Sequence, residues 1–174
     1  MTATPDTSRD QHDVRGTLWK LIKDTRFGML THRHPEGILH AHPLTTQNTD
    51  LDEDATLYFF VSRKTHLFGH LQADGNVNVS YANPDADSYV SLSGHARFVE
   101  DRAKVEALWS QMAKAWFPGG PADPDLALLA VDIGHAEYWD VKESKMVQLF
   151  KLARAAMTGK QPRNLGEHRE LELA

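Results

Sequence analysis

The spacing of apolar residues changes along the chain from a helical to a strand-like pattern. Val14, Leu18, Leu21 and Ile22 recur at helical intervals, which predicts a first helix over residues 8–24. Short apolar or β-branched segments bounded by turn residues follow, and these are typical of antiparallel strands. The predicted strands cover residues 26–32, 37–46, 55–61, 77–81, 88–99 and 126–139.

Helical patterns fill the longer connections between these strands. The first of them is predicted to end at a glycine cap, Gly75. A second helix is predicted from a cap at Asp101 through an apolar stripe that ends at Trp116. A third covers residues 144–158, and a polar, mobile tail is expected to follow it. This order predicts an α+β fold around an antiparallel barrel, as a single domain over residues 1–174.

Composition narrows the classes of function. The chain has 19 basic and 24 acidic side chains, a formal net charge of −5, and no cysteine. Without a basic stripe it lacks the electrostatic pattern of a nucleic-acid-binding protein. The absence of cysteine excludes disulfides and thiolate-bound metals and fits a reducing compartment. With no signal-like N-terminus and no apolar window of about 18 residues, we expect a soluble cytoplasmic protein without a membrane partner.

The end of the third predicted strand is the most informative position for chemistry. There Ser62, Arg63, Lys64 and Thr65 follow an aromatic strand and precede the start of a helix. Free backbone N–H groups, two hydroxyls and two cations at a helix start favour an anion such as phosphate. The alternative is structural: Ser62 or Thr65 caps the helix, and the cations are solvated.

The second candidate is the His-Ala-His-Pro segment of the second strand. His40 and His42 lie two residues apart and share one face of the strand, with His32 and His34 nearby across the hairpin. Two imidazoles are half of a metal site, but no Asp or Glu stands at ligand spacing, so no metal is predicted. Pro43 indicates an edge or a bulge, where backbone amides are free to meet a ligand.

Taken in order, several segments resemble the FMN-binding split-barrel superfamily, which includes pyridoxamine 5′-phosphate oxidases and general stress proteins. The resemblance covers about residues 18–139 and points to the general stress protein branch. It implies a split β-barrel of about six strands with flanking helices. The segments that carry it are Phe-Gly-Met-Leu at 27–30, His-x-His-Pro-Leu-Thr at 40–45, Ser-Arg-Lys at 62–64, and the strands at 90–101 and 136–140.

The resemblance also implies a flavin site shared between two subunits. The cofactor would be FMN or FAD, and a symmetric homodimer is expected because both subunits complete the site. The flavin phosphate would lie against Ser62, Arg63, Lys64 and Thr65. The isoalloxazine ring would lie along the second and third strands, in contact with His42, Pro43, Leu44, Thr45, Phe60 and Val61. Trp116 or Trp139, of either subunit, would cover the ring.

Two departures from the family pattern shape the expected function. His42 stands where family members commonly carry Arg, which replaces a permanent cation with a side chain that titrates near neutrality. The C-terminal Trp…Arg-x-His pattern of the true oxidases is missing from residues 161–174. The expected function is therefore that of a flavin-binding general stress protein, involved in the stress response, without pyridoxamine phosphate oxidase activity.

Two alternatives stay open. The first is an FMN-dependent oxidoreductase that uses NAD(P)H on a small-molecule acceptor, although no Gly-x-Gly-x-x-Gly segment marks a nicotinamide domain. The second is a haem or metal binding protein on the same barrel, with His40 and His42 among its ligands. No side chain stands out as an acid–base catalyst, and the sequence does not rank FMN against FAD.

Overall fold

The structure is a computed structural model that describes residues 7–51, 55–140 and 167–172, with side chains from residue 14 onward. Two 3₁₀ turns, Ala113–Ala115 and Gly120–Ala122, precede the longest strand. The helices and strands in chain order are α1 (Thr7–Thr25), β1 (Phe27–Arg33), β2 (Leu39–Thr45), β3 (Thr56–Ser62), α2 (His66–Ala73), β4 (Asn76–Asn83), β5 (Ser88–Val99), α3 (Arg102–Leu108), β6 (Leu126–Asp140) and β7 (Glu167–Glu172).

The strands form one antiparallel sheet that curves into a barrel. Its order is β2-β1-β4-β5-β6-β3, and β7 pairs with β6 beside this path. The two end strands meet at a bridge between Thr46 and Phe59, where the Gln47 N–H donates to the Tyr58 carbonyl at 2.9 Å. This contact closes one end of the barrel. The predicted α+β class and antiparallel barrel are confirmed, with seven strands in the described residues instead of about six.

Alternation along the strands decides which side chains enter the barrel. In β1, Leu30 and His32 are buried whereas Phe27 and Met29 are exposed. β2 alternates in the same way, so its even-numbered residues face inward. Strand β6 is buried along most of its first half because α3 and the 3₁₀ turns cover its outer face. The barrel core includes Leu18, Ile22, Leu57, Phe59, Leu92 and Leu129.

Gly75 has a different role from the predicted helix cap. Helix α2 ends at Ala73, and Asp74 is its C-cap in an extended conformation. A Cβ at Gly75 would lie 2.5 Å from the Ala96 carbonyl oxygen of β5. The prediction of a glycine cap is therefore wrong, and a glycine is needed here because two backbones approach closely.

Helix α3 is shorter than predicted. Asp101 caps it as expected, since its carboxylate accepts from the Lys104 N–H at 2.9 Å. The prediction of a helix continuing to Trp116 is wrong, because Trp109 is already extended. Trp109 and Phe117 both pack on the outer face of the barrel beside β6, and this packing overrides the helical spacing of the stripe.

The end of the chain also differs from expectation. Residues Glu167–Glu172 form β7 and pair with the C-terminal half of β6, where the sequence predicted a mobile tail. The predicted helix at 144–158 lies outside the described residues. Among the helices that the structure describes, none has the length and apolar character needed to cross a membrane.

Candidate functional site

The junction between β3 and α2 begins with a helix cap. Thr65 is extended, and its Oγ1 accepts from the Phe68 N–H at 3.4 Å while donating to the Ser62 carbonyl at 2.7 Å. The structural alternative for this hydroxyl is therefore realised. The Thr65 hydroxyl is used by the helix cap, whereas the Ser62 hydroxyl is available for another partner.

The carboxylate of Asp125 occupies the position where the sequence predicts an anion. Ser62 Oγ donates to its two oxygens at 2.9 and 2.8 Å, and the Lys64 N–H donates to Oδ1 at 3.2 Å. Lys64 Nζ lies 3.6 Å from Oδ2. A hydroxyl, an amide and an ammonium group thus converge on one anion. Asp125 precedes β6 and was not found from the sequence, because it lies about sixty residues away from these donors.

Arg63 also has an acidic partner. Its guanidinium donates to Glu100 at 2.8 Å and to the Leu126 carbonyl at 3.2 Å, and it lies over the Phe68 ring. These contacts hold Arg63 against the barrel. The Lys64 side chain, by contrast, is 83% exposed and can turn toward a ligand at little cost.

The predicted ring contacts lie on different surfaces of the barrel. His42 and Leu44 face inward, and Pro43 is exposed on the outer face opposite Met29. Val61 is buried in the core. The remaining members, Thr45 and Phe60, are half-buried. The structure therefore brings some of the predicted contacts to the interior and others to the outer surface.

The aromatic side chains near β3 are not the predicted ones. Phe60 packs against Trp109, with ring centroids 5.8 Å apart, and against Phe117 at 6.5 Å. Trp139 stacks on His168 of β7 with ring centroids 5.0 Å apart and an interplanar angle of 5°. Trp116 is 80% exposed. Neither of the two predicted tryptophans is among the aromatic contacts of Phe60 within the described residues.

A cluster of histidines lies between the β1–β2 hairpin and α2. His32 is buried, and its Nε2 lies 3.3 Å from His42 Nε2. Burial, together with the neighbouring His32 and His40 rings, lowers the pKa of His42 below its usual value. His34 and His70 extend the cluster, with ring centroids 4.7 Å apart. Strand spacing predicted the grouping of the hairpin histidines, but His70 comes from a helix and had no signal.

Comparison with known proteins identifies the family. A sequence model of the family described as pyridoxamine 5′-phosphate oxidase like matches residues 13–163. The chain belongs to this family. The resemblance predicted from the ordered segments is thereby confirmed.

The relatives of this pyridoxamine 5′-phosphate oxidase like protein include general stress proteins. A general stress FMN/FAD binding protein from Xanthomonas citri is 32% identical, has a TM-score of 0.65, and matches over 76% of this chain and 92% of that chain. A structure assigned as general stress protein 26 from Jannaschia sp. CCS1 is 25% identical, with a TM-score of 0.73 and coverages of 92% and 99%. Protein bli-3 from Neurospora crassa is 26% identical over 163 residues, which is 88% of this chain and 77% of that protein. These similarities confirm the split-barrel architecture.

In this pyridoxamine 5′-phosphate oxidase like protein, the hydrogen-bond donors at the β3–α2 junction are of the kinds that bind a phosphate group. Asp125 acts as a stand-in anion and shows that Ser62 and Lys64 can hold one in common. Its own charge would oppose a second anion at the same point. A phosphate at this point would require the Asp125 carboxylate to move away from these donors.

Proposed function

We propose that this protein binds a flavin nucleotide, FMN or FAD, with its phosphate at the β3–α2 junction. The observation that carries the proposal is the convergence of Ser62 Oγ, the Lys64 N–H and Lys64 Nζ on one carboxylate, that of Asp125. The same donors offer a phosphate hydrogen bonds and positive charge. The relative from Xanthomonas citri, which is by name an FMN/FAD binding protein, supports this ligand class.

Each residue at the junction has a distinct part in holding the ligand. Lys64 Nζ neutralises phosphate charge, and the Ser62 hydroxyl fixes one oxygen. Arg63 is held by its ion pair with Glu100 and by the Leu126 carbonyl, and it supports the junction without contacting the ligand. His42 faces inward at the position where family members commonly carry Arg, so this chain lacks a permanent cation there. The contacts to the phosphate therefore supply most of the preference for FMN and FAD over riboflavin. When bound, a flavin supplies hydride and electron transfer chemistry.

The open position of Lys64 favours acceptance of both nucleotides. Its side chain is largely exposed, so the adenylate of FAD can extend from the phosphate into solvent. We expect comparable affinity for FMN and FAD, and weaker affinity for riboflavin. The role that follows is a flavin-binding protein of the stress response, located in the cytoplasm and without pyridoxamine phosphate oxidase activity.

A homodimer belongs to the same proposal. The outer face of the β1–β2 hairpin exposes Phe27, Met29 and Leu39, and a second subunit would cover them. Pro43 lies on the same face, opposite Met29. Dimerisation there would place both subunits beside β2, along which the flavin ring is expected.

Flavin titration tests the binding proposal. We expect the fluorescence of FMN to be quenched when it binds. Lys64→Ala should lower the affinity for FMN roughly fivefold, which is the size of a partly exposed charge interaction, and should leave the affinity for riboflavin unchanged. Lys23→Ala removes the same charge from the exposed surface of α1 and should leave both affinities unchanged. Equal FMN affinity in wild type and Lys64→Ala would overturn the phosphate position. Failure of any flavin to bind would overturn the function.

A further inference from the structure

We propose that His32, His40 and His42 form a binding site for a divalent transition metal ion, with Zn²⁺ as the fitting example. One ligand nitrogen from each of the three side chains lies within 4.8 Å of the other two. The trio is separate from the Ser62–Asp125 junction. Because His42 is also an expected contact of the flavin ring, zinc binding is measured on protein without flavin, where its failure and the failure of the flavin proposal are distinguishable.

The strand register explains why the three rings converge. His32 of β1 lies directly opposite His40 of β2, and His42 is two residues further along the same face. All three side chains therefore point to the interior side of the hairpin. A two-stranded ladder with seven paired positions holds their Cα atoms in fixed relation, so the ligand positions are preorganised.

The distance between two of the ligand nitrogens matches metal ligation. His32 Nε2 and His42 Nε2 are 3.3 Å apart. Two imidazole nitrogens that each bind Zn²⁺ at about 2.0–2.1 Å in tetrahedral geometry are separated by about 3.4 Å. The alternative is a shared proton in an N–H···N hydrogen bond at the same distance. The two arrangements differ in whether added metal displaces that proton.

A backbone contact orients the buried ring for ligation. His32 is 1% exposed, and its Nδ1 lies 3.1 Å from the Arg33 carbonyl oxygen. A carbonyl only accepts, so Nδ1 carries the proton and Nε2 presents its lone pair toward His42. Histidines that bind metals commonly donate their second ring N–H to a carbonyl or carboxylate in this way.

The surrounding side chains indicate the class of metal and a fourth ligand. Three imidazoles favour zinc or a late transition metal over Mg²⁺ or Ca²⁺, which prefer oxygen. His70 of α2 has its ring centroid 5.3 Å from that of His32, and His34 lies 4.6 Å from His40. Either ring, or water, can complete a four-coordinate site after a side-chain rotation.

Zinc titration of the full chain tests the proposal. Protein freed of metal by a chelator, and carrying no histidine tag, is titrated with Zn²⁺ in competition with a chromophoric indicator. We expect one ion per chain, and His40→Gln and His42→Gln should each weaken binding by more than about tenfold, because even changes behind the ligands often cost that much. His95 is an exposed histidine on β5, so His95→Gln should bind zinc with the affinity of the wild type.

Two further measurements keep the assignment falsifiable. A second group, His135 with Glu137 and Glu170, also lies within ligand distance, so His135→Gln is titrated in parallel. Loss of zinc binding in His135→Gln but not in His42→Gln would overturn the proposal, as would no zinc binding at all. If the cluster variants fail to fold, histidine ring NMR of the wild type decides. Zinc must shift the ring nitrogens of His32, His40 and His42 and leave those of His95 unchanged.

Discussion

At the scale of single residues, Asp125 controls the charge of the candidate phosphate site. Its carboxylate accepts from Ser62 and from the Lys64 backbone, so it both organises the junction and opposes an incoming anion. Asparagine at this position retains one oxygen acceptor and removes the charge. The two roles of Asp125 can therefore be separated.

We expect Asp125→Asn to bind FMN more tightly by about 1 kcal/mol, roughly fivefold, because a like charge near the phosphate is lost. Riboflavin affinity should not change. Fluorescence titration of both flavins measures the difference. If both affinities fall together, the carboxylate is required to hold the junction, and the electrostatic account is wrong.

Two glycines six positions apart should respond in opposite directions to alanine. A Cβ at Gly75 would meet the Ala96 carbonyl oxygen, whereas nothing lies within 4 Å of a Cβ at Gly69 in α2. We expect Gly75→Ala to lower the free energy of unfolding by about 1–3 kcal/mol through backbone displacement. Gly69→Ala should raise it by up to about 1 kcal/mol through helix propensity. Urea denaturation measures the free energy of unfolding of both variants. An unchanged value in Gly75→Ala would show that β4 and β5 can separate freely.

At the scale of elements, β7 pairs with β6 as a strand and also contacts it through charged side chains around His135. In its protonated form the His135 ring donates from Nδ1 to Glu172 at 2.9 Å and from Nε2 to Glu137 at 3.2 Å. These hydrogen bonds raise the pKa of His135 and lower the pKa of Glu137. Docking of β7 is therefore coupled to the protonation of one imidazole.

The direction of the pH effect follows from the raised pKa. The contribution of His135 is complete below the ordinary histidine value of about 6.5 and is lost as the pH rises through the raised pKa of the folded protein. We expect β7 amides to be less protected at about pH 9 than at about pH 6, after correction for intrinsic exchange rates. Hydrogen exchange measures this. His135→Gln should abolish the pH dependence, and an unchanged dependence in that variant would assign it to other groups.

Elements were predictable from sequence where local spacing and tertiary packing agree. The strands at 55–61 and 88–99 carry dense aromatic or alternating patterns, and they appear as β3 and β5 nearly at the predicted bounds. The start of α3 was predicted from its Asp101 cap, but its end was not, because Trp109 leaves the helical path to pack beside Phe60. β7 was missed because its charged side chains have no strand pattern, and its pairing depends on β6.

The candidate sites follow the same rule. The Ser62–Thr65 junction was found because its donors are contiguous in sequence, and the hairpin histidines were grouped because strand spacing is regular. Asp125 and His70 were not predicted as members of these sites, because only the closed barrel brings the start of β6 to β3 and α2 to β1. Both sites therefore include a partner that is distant in sequence.

At the scale of the whole molecule, two exposed apolar surfaces within the described residues are candidates for the proposed contact between subunits. One is the outer face of β1 and β2, where Phe27 is 57% exposed and Met29 41%. The other surrounds the 3₁₀ turn after α3, where Met112 and Trp116 are exposed. The first lies on the paired β1–β2 hairpin and carries three exposed apolar side chains, Phe27, Met29 and Leu39, which suits a symmetric contact of the kind that most homodimers use.

A pair of charge-introducing variants distinguishes the two surfaces. We expect the double variant Phe27→Lys and Met29→Lys to be monomeric in analytical ultracentrifugation, because burying two lysines against their symmetry mates costs more than a dimer contact gains. Met112→Lys should remain dimeric. The opposite result would move the interface to the turn after α3, and a monomeric wild type would exclude both. Since the flavin ring is expected beside β2, the monomeric variant should also bind FMN more weakly than Met112→Lys does, and equal affinity would place the whole site within one subunit.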